Sequence, residues 1–287
     1  RRLVVRTLQA LAARDPVLSW LERRFHAANE VDMPPLFIVG SPRTGSTLLY
    51  ELLVCQYRVA YFPNVAALAF RSPVLATRSC RRMGMHHAFV GRSRLGVIEG
   101  TMAPSEAGRV MRHWLETSTY EETRSMFSRL TRVFGGPVVV KDLDNVMRME
   151  RIHGFFPQAV FVHMRRDESS AGESLLAARR AVWGNAHRWL GVRPPDYDLP
   201  ETADPHAQVA AQIRAIDAHI ETMGEQWGSE RVVNIQYETL CAHPAAELSR
   251  LADALRLLEV PMEANTDAGP VPTGFDFRRE SLALVGQ

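Results

Sequence analysis

Cysteine is scarce in this sequence. Its 287 residues hold three, Cys55, Cys80 and Cys241, far apart and odd in number. That excludes a disulfide framework and fits no metal-ligand spacing, so the thiols are expected reduced, in or near the core. No apolar run approaches the length that spans a bilayer. The opening Arg1–Arg2–Leu3–Val4–Val5 imitates the basic start of a secretory leader but soon meets Arg14, Asp15 and Pro16. The chain therefore reads as cytoplasmic, and an arginine in first position leaves room for a lost upstream segment. An excess of one charge is also missing. Lys+Arg number 34 against 32 Asp+Glu, for a formal charge of +2, which argues against nucleic acid as a partner. Any anion site must be built from locally placed arginines. Apolar residues, by contrast, are plentiful: 46% of the sequence is hydrophobic, which suits one large α/β domain better than two small ones.

The apolar residues fall into a repeating order. Residues 1–30 read as an amphipathic helix, with Leu8, Leu11, Leu18 and Leu21 among arginines, closed by Pro34–Pro35. Leu36–Val39 is a short, continuous apolar run of the kind found in buried parallel strands, and Val138–Val140, Val160–Met164 and Val232–Tyr237 read as three further strands. Helical stretches follow at about 47–56, 144–155 and 169–181, and further ones span 205–227 and 244–258. Strands alternating with helices predict a single P-loop-type domain with a mostly parallel sheet flanked by helices. Such sheets bind ligands at the carboxyl ends of their strands. Residues 191–205, rich in Pro and Asp, are the clearest long loop.

Polar clusters sit where those strands end. After the first comes Gly40-Ser41-Pro42-Arg43-Thr44-Gly45-Ser46-Thr47. A tight glycine turn entering a helix offers free N–H groups to an anion. Ser46 and Thr47 add hydroxyls, and Arg43 adds a fixed charge with a planar fork of donors. A nucleoside-triphosphate loop needs Gly-x-x-x-x-Gly-Lys-Ser/Thr. Gly40 and Gly45 keep that spacing, but Ser46 replaces the lysine, which disfavours a magnesium-dependent kinase, the rival enzyme class.

These residues resemble the sulfotransferase superfamily, whose 5′-phosphosulfate loop reads Pro-Lys/Arg-Ser/Thr-Gly-Ser/Thr-Thr. Pro42–Thr47 is similar to it, closer to the bacterial and carbohydrate-type branches because Leu48 stands where the cytosolic branch has tryptophan. Arg166 with Ser174 eight residues on resembles the family's 3′-phosphate motif, although Glu168 replaces a usual proline. Lys141-Asp142, Phe156-Pro157-Gln158-Ala159, Tyr237-Glu238-Thr239-Leu240 and Trp189–Pro195 resemble further family segments. The resemblance implies a sulfotransferase-like domain over 1–287, with 1–33 a helical extension and 191–205 an acceptor-side loop. It implies that Arg43, Thr44, Gly45, Ser46, Thr47, Arg166, Ser174 and Tyr237 hold 3′-phosphoadenosine 5′-phosphosulfate. A sulfuryl group would pass to a hydroxyl or amine of a small-molecule, carbohydrate or lipid acceptor, leaving adenosine 3′,5′-bisphosphate. A non-catalytic nucleotide-binding protein is the remaining alternative.

Sulfuryl transfer by in-line displacement needs charge neutralised at the sulfonate and leaving group, and a base for the acceptor proton. Arg43 and Lys141 suit the first task. For the second, the cytosolic branch's histidine is replaced by Leu143, and Tyr57–Phe70 contains no carboxylate. Glu106 is the preferred base: it follows Met102-Ala103-Pro104-Ser105 and is expected in the first turn of a helix, on a segment bordering the acceptor pocket, with helix capping as its alternative role. Asp142 comes second, then Glu99, Asp144, His86 and His87. Adjacent histidines share one ion poorly and no third ligand is spaced nearby, so no metal is expected. Trp183 and Trp189 are the expected aromatic contacts to the acceptor.

Overall fold

Four parallel strands form the centre of the molecule. In chain order they are β1 (Leu36–Val39), β2 (Val139–Lys141), β3 (Val160–Arg165) and β4 (Val232–Gln236), and they lie side by side as β2-β1-β3-β4. The register pairs Phe37 with Val140 and Phe161, and His163 with Asn234. The computed structural model describes residues 16–24, 32–91, 93, 96–194, 197, 200 and 203–272.

β1, β2 and nearly all of β3 are buried on both faces, whereas β4, at the edge, is only partly buried; the side chains still alternate. Phe37, Val39, Val140 and Phe161 enter one core, with Trp114, Phe127, Leu130, Ile152 and Ile216. Leu36, Ile38, Val139, Val160 and Val162 enter the other, with Leu49, Leu53, Leu248, Leu251 and Leu255. The helices sort accordingly. α2 (Ser46–Gln56), α10 (Tyr237–Ala242) and α11 (Pro244–Leu257) cover the second face. α5 (Gly108–Thr117), α6 (Tyr120–Phe134), α7 (Met149–Phe155) and much of α9 (Pro205–Trp227) cover the first. α8 (Glu168–Trp183) packs on α9 through Ala171, Leu175, Leu176, Val209 and Ile213. The residual helices are α1 (Pro16–Arg24), α3 (Asn64–Leu68) and α4 (Pro73–Arg82). Among the described residues no helix is long and apolar enough to cross a membrane.

The α/β sheet expected from the sequence is present, with two differences in detail. The helix expected over 144–155 is split: a 3-10 turn occupies Leu143–Arg148 before α7 begins. Asp142 causes this by accepting from the Asp144 amide (3.4 Å), only two residues on, which tightens the first turn. Glu106 is not in the first turn of a helix. It precedes α5 by two residues, across the left-handed Ala107 (φ 58), so helix capping is not its task. Only α1 of the expected N-terminal helix lies among the described residues.

Candidate active site

Because all four strands are parallel, Gly40, Asp142, Arg166 and Tyr237 follow their strands at one edge of the sheet. Loops from that edge enclose a cavity of about 290 Å³, lined in part by Arg43, Gly45–Leu48, Lys141, Arg166 and Tyr237.

The first loop is held by its own polar groups. The Thr44 hydroxyl donates to the Ser41 carbonyl (2.8 Å). That hydroxyl therefore closes the loop, which leaves the backbone amide of Thr44, and not its hydroxyl, as the group the expectation concerns. Gly45 ends the loop in the left-handed region (φ 89), a conformation natural to glycine. A side chain there would also run into the Tyr237 ring. The first bond inside α2 is Leu49 N–H to the Gly45 carbonyl. The amides of Ser46, Thr47 and Leu48 thus lack helical partners, and all three residues line the cavity.

Two guanidiniums complete the anion end. Arg43, itself left-handed (φ 72), donates Nε to Ser174 Oγ at 3.1 Å. Ser174 thereby braces Arg43 from α8 and is not in the cavity wall. Arg166 donates Nη1 to the Arg43 carbonyl (2.9 Å) and lies over the Tyr237 ring, 4.4 Å from its centroid. Its Nε is buried without a partner among the described residues. Burial, and after it the Arg166 charge, pull the Arg43 guanidinium below its usual range. Neither arginine forms an ion pair among the described residues. Two like charges meeting without a carboxylate form a site that an anion relieves.

Across the cavity, Lys141 is 2% exposed and forms an ion pair with Glu106, whose side chain is 40% exposed. Both residues line the wall. Gly96 (φ 87) makes room for them: a Cβ there would stand 2.7 Å from Glu106 Oε1 and 3.6 Å from Lys141 Nζ. Asp142 turns away. Its carboxylate accepts from Arg148 Nη1 at 3.2 Å and faces Gly108 at the start of α5, outside the cavity wall. Burial, then the neighbouring Asp144 charge, push the Asp142 carboxyl up to about 7.

The remaining candidates separate. Asp144 is spent on Arg148 and Arg112. Glu99 and His86 are exposed and absent from the wall. His87 donates or accepts at Glu51 Oε1 (3.0 Å). Trp183 and Trp189 do not reach the cavity: their indoles bond the Trp189 and Gly191 carbonyls, and it is Leu190 and Gly191 that face inward. Glu51 was not foreseen. Buried on α2, it also accepts from the Val90 and Gly91 amides (2.8 and 3.1 Å), holding that segment over the cavity it helps to line. Nothing in the local sequence marks it, because its partners lie about forty residues away. No three metal-ligating side chains gather among the described residues.

Comparison with known proteins bears on the family and the fold. A family model described as "Sulfotransferase family" matches residues 34–260. No curated protein matches. Among solved structures, sulfotransferase STF9 from Mycobacterium avium superposes with TM-score 0.58 at 18% identity, over 98% of this chain and 74% of that one. Sulfotransferase STF1 from Mycobacterium tuberculosis H37Rv gives 0.51 at 16% identity, over 98% and 79%. These two share the fold. The family match begins just before β1, takes in every strand end that faces the cavity and runs past α11: the chain belongs to the sulfotransferase family.

Proposed function

We propose that this sulfotransferase uses 3′-phosphoadenosine 5′-phosphosulfate as donor and passes its sulfuryl group to a hydroxyl or amine. The observation that carries the reading is the meeting of Arg43, Arg166 and the open α2 amides, neither arginine ion-paired among the described residues, opposite the Lys141–Glu106 pair. The orphaned Arg166 Nε suits a phosphate oxygen. When bound, the donor supplies the sulfuryl group and a phosphate leaving group.

The protein's residues then divide the work. Arg166, resting on Tyr237, binds the 3′-phosphate. Arg43, steadied by Ser174, and the amides of Ser46–Leu48 hold the 5′-phosphosulfate and offset the charge that grows on its oxygens. Lys141 adds a cation at the sulfonate. Glu106 takes the acceptor proton, since it faces the cavity and Asp142 does not. Lys141 orients Glu106 until the acceptor arrives. The leaving product is adenosine 3′,5′-bisphosphate.

Thermal shift tests this reading. A ligand bound only to the native state stabilises it by mass action, so adenosine 3′,5′-bisphosphate should raise Tm more than ATP with magnesium. Arg166→Ala should weaken the bisphosphate by about 1.5–3 kcal/mol. It should also erase the preference over adenosine 5′-phosphate. A larger shift with ATP and magnesium, or an unchanged preference in the variant, contradicts the assignment.

A further inference from the structure

The wall of the same cavity also has an apolar part. Leu143 after β2, Leu175 and Ala178 on α8, and Leu190 beside Gly191 belong to it. Among the described residues, the charged side chains of the wall other than Arg43 and Arg166 are already engaged. Lys141 and Glu106 hold each other, and Glu51 shares a hydrogen bond with His87 and accepts from two amides. Ser93 contributes a hydroxyl.

A sugar ring entering such a space carries several hydroxyls out of water, and each left without a partner weakens binding. An alcohol on an apolar body carries one, which Glu106 receives, and its remaining surface meets leucine. Resting on the sulfuryl-transfer reading above, we infer that the acceptor is an alcohol on an apolar body, and that Leu143 and Leu190 select it against carbohydrates. In the transfer, the alcohol oxygen bonds to sulfur and its proton passes to Glu106. The sulfur–oxygen bond of the donor breaks, and its electron pair leaves with the bisphosphate.

Binding and turnover are measured separately. Calorimetric titration of the bisphosphate-loaded protein with butanol, hexanol and octanol should show affinity rising about fourfold per added methylene. Methyl glucoside should bind more weakly than octanol by about tenfold or more. With the sulfuryl donor, octanol should be the better acceptor. Leu143→Asn should lower octanol affinity about tenfold at unchanged bisphosphate affinity. Because Leu143 also packs on the core, Leu190→Asn carries the same expectation if the first variant no longer binds bisphosphate. Affinity independent of chain length, a glucoside that binds as well as octanol, or no binding of either overturns the inference. Length-dependent alkanol binding without sulfuryl transfer leaves the apolar selection standing and instead removes the transfer reading.

Discussion

Lys141 is the only lysine in the sequence; the other members of its 34 Lys+Arg are arginines. That single ammonium is buried against Glu106 in the cavity wall. An arginine there would bring a wider planar fork, which a space sized by Gly96 does not accommodate. The sequence pattern singled out both residues; the expected place of Glu106 in a helix's first turn was mistaken, whereas its segment does border the cavity. What distinguishes it from Asp142 is direction, which no spacing rule encodes. Glu106→Gln keeps the shape and loses the proton-accepting charge, so single-turnover rates should fall by about two to four orders of magnitude. Bisphosphate affinity should stay nearly constant. Asp142→Asn should lower the rate far less, and the reverse ranking would move the base to Asp142.

Asp142 makes a separate prediction about stability. Its folded carboxyl titrates near 7, above the ordinary 3.8. Between those values the native state holds a proton that the unfolded chain has released. This contribution is fully present below about pH 4 and is lost as pH rises through about 7. Asp142→Asn should therefore flatten the decline of Tm between those limits. Parallel melting curves for the two proteins across that range would refute the buried-carboxyl account.

At the level of elements, β1 to β3 were legible because a strand buried on both faces is a largely apolar run, and the polar clusters that follow mark its carboxyl end; β4, partly exposed, was legible from Val232, Val233 and Ile235. The span 57–137 was not. It holds α3 to α6, of which only a helix start near Glu106 was foreseen. α3 is five residues long and α4 ends in consecutive arginines, so neither offers the sustained period that identifies a helix. The Glu51 strap was illegible for a related reason, since it joins α2 to residues 87–91 across the fold. The turn into α2 is the element on which the anion end depends. Gly45→Ala would force a side chain into a left-handed position and against Tyr237. We expect a stability loss of about 1–2 kcal/mol and bisphosphate affinity reduced about tenfold or more, from one altered loop. Calorimetric titration at matched folded fraction separates the two effects. Unchanged affinity would mean that the α2 amides do not hold the nucleotide.

For the whole molecule, a formal charge of +2 conceals an uneven distribution. Residues 71–98 carry Arg71, Arg78, Arg81, Arg82, Arg92 and Arg94 and not one Asp or Glu. This stretch includes α4 and continues into the rim of the cavity at Gly91, Ser93 and Gly96. An arginine-rich stretch leading to a cleft raises the local concentration of oppositely charged ligand and speeds its capture. A polyanionic nucleotide should feel it. Stopped-flow association of adenosine 3′,5′-bisphosphate should slow about tenfold or more between about 20 mM and about 500 mM salt, as the Debye length shrinks. Dissociation, governed by Arg43 and Arg166 inside the cavity, should change much less. Arg78 and Arg82 are exposed and do not line the cavity, so they isolate the long-range contribution. Reversing both to Glu should lower the association rate at low salt and reduce its salt dependence, with the dissociation rate nearly unaltered. If the double variant instead dissociates faster while associating normally, the arginine-rich stretch acts through the structure of the rim and not through its field.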